Sequence, residues 1–188
     1  MPYIFNTDWF QNSMLRNDIR NNKKRYNNPT YNILEIGCYE GGSSCFFSDN
    51  LLDGEDSTLD CVDPFLNDVD NDHKSMLLND EELRFDSNIK LSLNFNKITT
   101  HKITSDEFFT TNKKVFNLIF IDGCHSLDCV KRDLINSYEC LVVNGIIWMD
   151  DYGGGTPEAN FRSFVDEFII EKKCEIIEKG YQIAFIKK

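Results

Sequence analysis

Tyr31-Asn32-Ile33-Leu34-Glu35-Ile36-Gly37-Cys38-Tyr39-Glu40-Gly41-Gly42-Ser43-Ser44 is the stretch that decides the fold. An apolar β-type run, Tyr31 to Leu34, leads into a glycine turn and then into a helix-compatible segment, Cys45 to Leu52. Strand, glycine turn and helix in that order are how α/β proteins bind nucleotides: the glycines let backbone approach a ligand, and the helix start offers free N–H groups. A dinucleotide site asks for G-x-G-x-x-G. Here Tyr39 stands where the second glycine belongs, which accommodates a pyrophosphate poorly. The acid Glu35 before the first glycine suggests a ligand with a cationic end.

Working outward, strands are expected at Ile33–Ile36, Thr58–Val62, Ile98–Ile103, Phe116–Ile121 and Gly145–Met149. Helices are expected at Ser43–Leu52, in the second half of Leu66–Asn96, and at Ser105–Phe109, Leu127–Tyr138 and Pro157–Lys172. An N-terminal helix over Thr7–Arg25, capped by Thr7, carries Trp9, Phe10, Met14, Leu15 and Ile19 at helical spacing. Cys174–Glu178 and Gln182–Ile186 form a terminal pair around Lys179-Gly180; with so short a turn, one of the two runs antiparallel. The expectation is an α/β, Rossmann-like, doubly wound and mainly parallel seven-stranded sheet with one antiparallel strand near the C-terminus. Residues 1–188 read as a single domain, with residues 1–28 as an N-terminal helical extension and 64–97 as a candidate lid.

Composition narrows the function. Hydrophobic residues at 41% and aromatics at 13% describe a globular chain, and its 188 residues suit one domain. A net charge of −11 argues against an extended nucleic-acid footprint. No apolar run approaches the ~20 residues of a membrane span, and Met1–Phe10 lacks the basic start and apolar core of a signal peptide. Seven cysteines with no C-x-x-C pair point to reduced thiols and a cytoplasmic protein. Asp68-Val69-Asp70-Asn71-Asp72 imitates a calcium loop, but His73 replaces the required glycine.

Ligands of open α/β sheets sit beyond the carboxyl ends of the strands. Each predicted strand end here carries an acid: Glu35, Asp63, Asp122, and the Asp150-Asp151 pair, with Asp106 just after the third strand. Like charges gathered on one edge repel and titrate upward, and a cation, a metal or a ribose relieves them. Bland alternatives stand beside this reading. Asp63 is also a turn cap before Pro64, Asp150-Asp151 a solvated turn before Gly153-Gly154-Gly155, and His125 a helix-start histidine. The triple glycine reads as a mobile loop.

Four motifs in this order resemble the class I S-adenosylmethionine-dependent methyltransferases: Glu35 to Ser43, Val62-Asp63-Pro64-Phe65, Phe120 to Ser126, and Asn144 to Tyr152. The resemblance runs from Tyr31 to Lys188 and is strongest to the small-molecule O-methyltransferase branch with catechol, macrocin and sugar enzymes. It implies that Glu35, Gly37, Tyr39, Gly41, Gly42 and Ser43 hold the methionine part of the cofactor. It further implies that Asp63 takes the ribose, Ser105 and Asp106 flank the adenine, and Asp122 lies near the sulfonium. Mg2+ would be held by Asp122, Asp150 and Asp151, with His125 where the catechol enzymes carry a lysine base. Cys124 stands where sugar-directed members have an acid, a departure that leaves the base open. The implied activity is Mg-assisted methylation of a hydroxyl on a small acceptor, a sugar or glycoside. The alternatives are a metal-independent small-molecule methyltransferase and a non-catalytic S-adenosylmethionine-binding module. The terminal strands and the N-terminal helix are interface elements if the chain forms a homo-oligomer.

Overall fold

The computed structural model describes residues 2–65, 81–154 and 161–188. Seven strands form one sheet: β1 (Asn32–Ile36), β2 (Thr58–Val62), β3 (Ile98–His101), β4 (Phe116–Ile121), β5 (Leu141–Met149), β6 (Glu175–Lys179) and β7 (Ile183–Ile186). Their order is β3-β2-β1-β4-β5-β7-β6. Only β7 runs against the rest, antiparallel to both β5 and β6, as the short turn before it requires. The helices are α1 (Met14–Asn21), α2 (Gly42–Leu51), α3 (Glu81–Ile89), α4 (Ser105–Thr111), α5 (Leu127–Cys140) and α6 (Arg162–Glu171). The expected start of the last helix at Pro157 lies outside the described residues, as do Asp68–Asp72 and residues 66–80 of the expected lid.

The sheet is buried on both faces, which explains the apolar run Leu118–Ile121 of β4. Leu118 and Phe120 face one layer with Ile33, Leu59, Cys61, Ile146 and Trp148, under α1, α2 and α3. Phe116, Ile119 and Ile121 face the other, with Leu34, Val62, Ile147 and Phe185, under α4, α5 and α6. β5 starts earlier than Gly145 because an irregularity opposite Phe116–Leu118 carries the chain through Asn144 at φ +62 before regular pairing resumes at Ile146.

The N-terminal helix expected over Thr7–Arg25 is divided. Trp9–Asn12 is a 3-10 turn, and Ser13, extended at ψ 147, restarts the chain as α1 by accepting the Arg16 N–H at 3.0 Å. A serine hydroxyl that can cap competes with continuing the helix. Helix α1 is fastened to the sheet by polar bonds. The Leu15 N–H donates to Gln182 Oε1 at 2.8 Å. Asp18, buried, accepts from Arg25 and from the Tyr26 hydroxyl, which in turn accepts the Trp148 indole N–H at 3.1 Å.

Glu35 lies on the α2 face of β1 and is fully enclosed. Its carboxylate accepts from the Ser43 hydroxyl, from the Ser44 hydroxyl at 2.6 Å and from the Cys61 thiol at 3.6 Å. Burial pushes it up from 4.5 to about 7; the three donors oppose the rise and the Asp63 charge adds to it.

Two outcomes follow from these buried groups. Tyr26→Phe strands the Trp148 N–H and removes one donor from Asp18, and should cost about 1–3 kcal/mol, read as a loss of several degrees in Tm; an unchanged Tm would show that the network contributes nothing. Glu35 takes up a proton on folding, so its contribution is present below the unfolded value of 4.5 and is lost as pH rises through about 7. Urea melts of Glu35→Gln and wild type should therefore converge or cross, the variant gaining on the order of 3 kcal/mol on wild type between pH 4.5 and 8. Parallel pH curves would refute the buried, proton-binding Glu35.

Candidate functional site

The parallel ladder continues one step past the strand ends. The Asp63 N–H donates to His101 O at 3.1 Å, Gly37 to Val62 at 2.9 Å, Asp122 to Ile36 at 2.8 Å and Asp150 to Ile121 at 2.9 Å. Four loops are thereby pinned side by side on the carboxyl edge, where the strand order leaves a crevice between β1 and β4. Gly37, at φ +84, allows the closest approach: a Cβ there would lie 1.9 Å from the Asp122 carbonyl oxygen.

Beyond Gly37 the turn is held by Asp63. Its Oδ2 accepts the Cys38 N–H at 2.7 Å and the Tyr39 N–H at 3.0 Å, and its Oδ1 accepts the Phe65 N–H at 2.8 Å. The carboxylate thus acts as a turn cap, yet about four lone-pair directions leave it capacity for a hydroxyl donor. Tyr39 sits at φ +48, a cost accepted where this capping fixes the backbone. Gly41, at φ +83, opens α2 without a side-chain cap, which leaves the first N–H groups of the helix without a capping side chain. Gly42 lies below Phe10, which packs on Phe46, Phe47 and Phe120, and Trp9 stacks on Tyr39 at 5.3 Å. Glu35 and Ser43 bond each other beneath the turn, so the acid expected to meet a cationic ligand end holds the helix start from inside.

Glu40 escaped the sequence reading. It is buried, pairs with Arg84 Nε at 2.5 Å, and accepts the Asn6 N–H at 2.6 Å. The N-terminal segment is thereby tied to the glycine turn, a long-range contact with no local pattern to announce it.

At the ends of β4 and β5, donor atoms of Asp122, His125 and Asp151 lie within 4.8 Å of one another. His125 Nε2 is 3.1 Å from Asp151 Oδ2. Asp151, at φ +54, accepts the Tyr181 hydroxyl at Oδ1. Asp150 accepts the Asp151 N–H at Oδ1 at 2.8 Å, and lies beside Asp122 and Gln182. Burial, then the charges of Asp150, Asp151 and Glu35, hold Asp122 well above the usual carboxylate range. Burial also raises Asp150, opposed by the Asp151 N–H and Gln182. The hydrogen bond to Asp151, and then burial, raise Tyr181, which keeps its proton and donates at neutral pH. The compact trio therefore pairs Asp122 and Asp151 with His125, and Asp150 stands behind Asp122. An oxygen-rich set of three carboxylates with one imidazole fits a hard divalent ion. Among the described residues a second group, Glu35, Cys38 and Cys61, is wholly buried with all three groups raised toward their protonated forms, and does not fit one.

The two residues expected beside an adenine diverge from this cluster. Asp106 is about half exposed and paired with Arg132 at 3.0 Å on the α4–α5 surface. Ser105 lies beside Asp133, a buried α5 acid pushed up by burial to about 6. Tyr152 is buried and donates to Asp166 at 2.9 Å, so it lines no open surface. Gly153 and Gly154 lie under the β6–β7 turn: the Gly153 N–H donates to Tyr181 O at 2.6 Å, and a Cβ on Gly153 would meet Gly180 O at 2.6 Å. Their lack of side chains serves close packing; Gly155 lies outside the described residues.

Comparison with known proteins places this arrangement. Residues 34–152 match the model of the methyltransferase-domain family. Among curated proteins no sequence matches significantly. Among solved structures, a candidate rRNA methylase from Clostridium thermocellum superposes with TM-score 0.65 at 14% identity, over 98% of this chain and 100% of that one. An O-methyltransferase from Bacillus cereus in complex with S-adenosylhomocysteine gives 0.64 at 14% identity, over 100% and 84%. The O-methyltransferase TomG from Streptomyces achromogenes, of tomaymycin synthesis and in complex with S-adenosylmethionine, gives 0.63 at 14% identity, over 92% and 79%. The matched segment contains the end of β1 with its glycine turn, Asp63 and the whole acid cluster, and the chain belongs to the methyltransferase-domain family, with the fold of a class I S-adenosylmethionine-dependent methyltransferase.

Proposed function

We propose that this protein is an S-adenosylmethionine-dependent O-methyltransferase that methylates a hydroxyl of a small acceptor, a sugar or glycoside, with a divalent ion, Mg2+, at its acid cluster. The observation that carries the reading is the juxtaposition of the glycine turn and the acids: Gly37 touches the backbone of Asp122, and Asp122 gathers Asp150, Asp151 and His125. A methyl donor held by the turn and a hydroxyl held by the acids would then meet across one loop.

Gly37, Tyr39, Gly41 and Gly42, with the free N–H groups of α2, would bind the amino-acid end of the cofactor, and Glu35 and Ser43 would support that turn from below. Asp63 would accept the ribose hydroxyls with its spare lone pairs. Asp122 would border the sulfonium, which a carboxylate favours. Asp106 and Ser105 would take part at the adenine edge only through α4, since Asp106 pairs with Arg132 and Ser105 lies beside Asp133. S-adenosylmethionine, when bound, supplies the methyl group in an in-line displacement, for which positioning carries much of the catalysis. Asp122, Asp150 and Asp151 would hold Mg2+, which when bound lowers the pKa of an acceptor hydroxyl. With its Nε2 3.1 Å from Asp151, His125 would present Nδ1 to accept the hydroxyl proton.

An acceptor of modest size suits a chain with net charge −11, which gives a long RNA no counter-charge. No helix among the described residues is long and apolar enough to cross a membrane, and all seven cysteines are free thiols, consistent with a cytoplasmic protein. We place any homo-oligomer contact on the β6 edge or the N-terminal helix.

Isothermal titration of S-adenosylhomocysteine, with Mg2+ and then with EDTA, tests the reading. Stoichiometric micromolar binding supports it; no binding in either condition removes the enzyme. Asp63→Ala should weaken this binding at least ~10-fold, a typical cost of losing charge-assisted hydrogen bonds, and unchanged affinity would sink the ribose role. With labelled cofactor and a panel of sugars and catechols, methyl transfer should stop in EDTA, and Asp150→Asn should lose it while keeping cofactor affinity. Full turnover in EDTA would leave the metal-independent alternative.

A further inference from the structure

The turn between β6 and β7, Gly180-Tyr181-Gln182, reaches the acid cluster, although nothing in its sequence marks it as a functional loop. It lands there because β7 is antiparallel: Ile183 pairs with Met149, so the residues just before it lie on the same sheet edge as Asp150 and Asp151. Tyr181 donates its hydroxyl to Asp151 Oδ1 while His125 occupies the side of Oδ2. Gln182 is buried beside Asp150. Its Oε1 accepts the Leu15 N–H at 2.8 Å, which fixes the amide and leaves its NH2 as the end able to donate. The turn is itself immobilised. The Gly153 N–H bonds Tyr181 O, the Gly180 N–H bonds Gln182 O at 2.8 Å, and a Cβ on Gly180 would strike Met14 Cε at 2.8 Å.

We propose that Tyr181 and Gln182 are positioning residues for the acid cluster, Tyr181 orienting Asp151 and Gln182 orienting Asp150, with α1 bracing the pair through Leu15 and Met14. The inference rests on the proposed divalent site. Asp151 stands at positive φ at the end of a strand, where its side chain has little else to fix its rotamer. One hydroxyl donor on Oδ1 selects the orientation that leaves Oδ2 toward His125 and Asp122. Asp150 has the same need, met by a donor that α1 holds in place. Residues that orient metal ligands in this way commonly change affinity by about 10–100-fold when removed. The N-terminal helix, which contributes no side chain to the cluster by the contacts above, thereby influences it through a single glutamine.

The test is Mn2+ titration of the full-length protein with S-adenosylhomocysteine present, the free ion counted from its electron paramagnetic resonance signal. Tyr181→Phe removes one exposed hydroxyl, so its Tm and its S-adenosylhomocysteine affinity should match wild type while Mn2+ affinity falls about 10–100-fold. Gln182→Leu also loses the α1 anchor, so its Tm should drop as well as its Mn2+ affinity. Wild-type binding with Mn2+ affinity unchanged in Tyr181→Phe overturns this inference and leaves the metal reading standing. Wild type without measurable Mn2+ affinity overturns both. A loss of ion and cofactor affinity together in Tyr181→Phe marks the residue as structural and overturns the positioning role.

Discussion

The site depends on one close approach: the Gly37 backbone lies against the carbonyl of Asp122 with no room for a side chain between them. Two neighbouring parallel strands normally diverge into separate loops once their ladder ends. Here the ladder adds a further rung at each step, from His101 through Val62 and Ile36 to Ile121, and each rung is donated by the first residue of a loop. The donors are Asp63, Gly37, Asp122 and Asp150. Three of the four are acids because the residue that leaves a strand is the first that can turn its side chain out of the core. The parallel sheet therefore lines up carboxylates at the spacing of its strands, about 4.8 Å, and a glycine at the one place where two loops must touch. A β-carbon at residue 37 would part β1 from β4 at that edge and separate the turn from the acids.

Electrostatics sets the second constraint. Asp122, Asp150 and Asp151 share one edge with Asp63 and Glu35, and their mutual repulsion with burial raises Asp122 and Asp150. The fold answers with donors rather than cations: Ser43 and Ser44 on Glu35, backbone N–H groups on Asp63, Tyr181 on Asp151, the Asp151 N–H on Asp150. Arg84 and Arg132 pair with Glu40 and Asp106, both away from the cluster. A neutral donor orients a carboxylate without cancelling its charge. The cluster stays able to attract a positive group, which an internal lysine or arginine would already have neutralised.

Much of this was legible in the chain. The five central strands, the antiparallel terminal strand and the doubly wound layering follow from apolar runs of strand length separated by helix signals, and the structure agrees with them. The acid at each strand end was legible for the same reason, since a charged residue after a buried strand marks where the core stops. What could not be read was where a side chain turns once outside the core. Glu35 looked free to meet a ligand, but two consecutive serines at the start of α2 close over it. Asp106 looked equivalent to the other strand-end acids, but it falls within the first turn of α4 and faces Arg132 on α5. The break at Ser13 was hidden because apolar spacing continues through it, while the cap is decided by one hydroxyl.

The β6–β7 turn shows what a topological argument adds to a local one. Tyr181 and Gln182 carry no motif, yet the antiparallel strand was predictable, and antiparallel entry into β7 forces its preceding turn onto the carboxyl edge. Any polar residue in that turn is therefore a neighbour of the β5 acids before its identity is considered. The glycines after Asp151 follow from the same packing: Gly153 and Gly154 lie where the turn descends on the loop, and side chains there would hold Tyr181 away from Asp151. A glycine run that suggests mobility in sequence can equally mark a place where two backbones are pressed together, and here the hydrogen bond from Gly153 to Tyr181 decides for packing at Gly153.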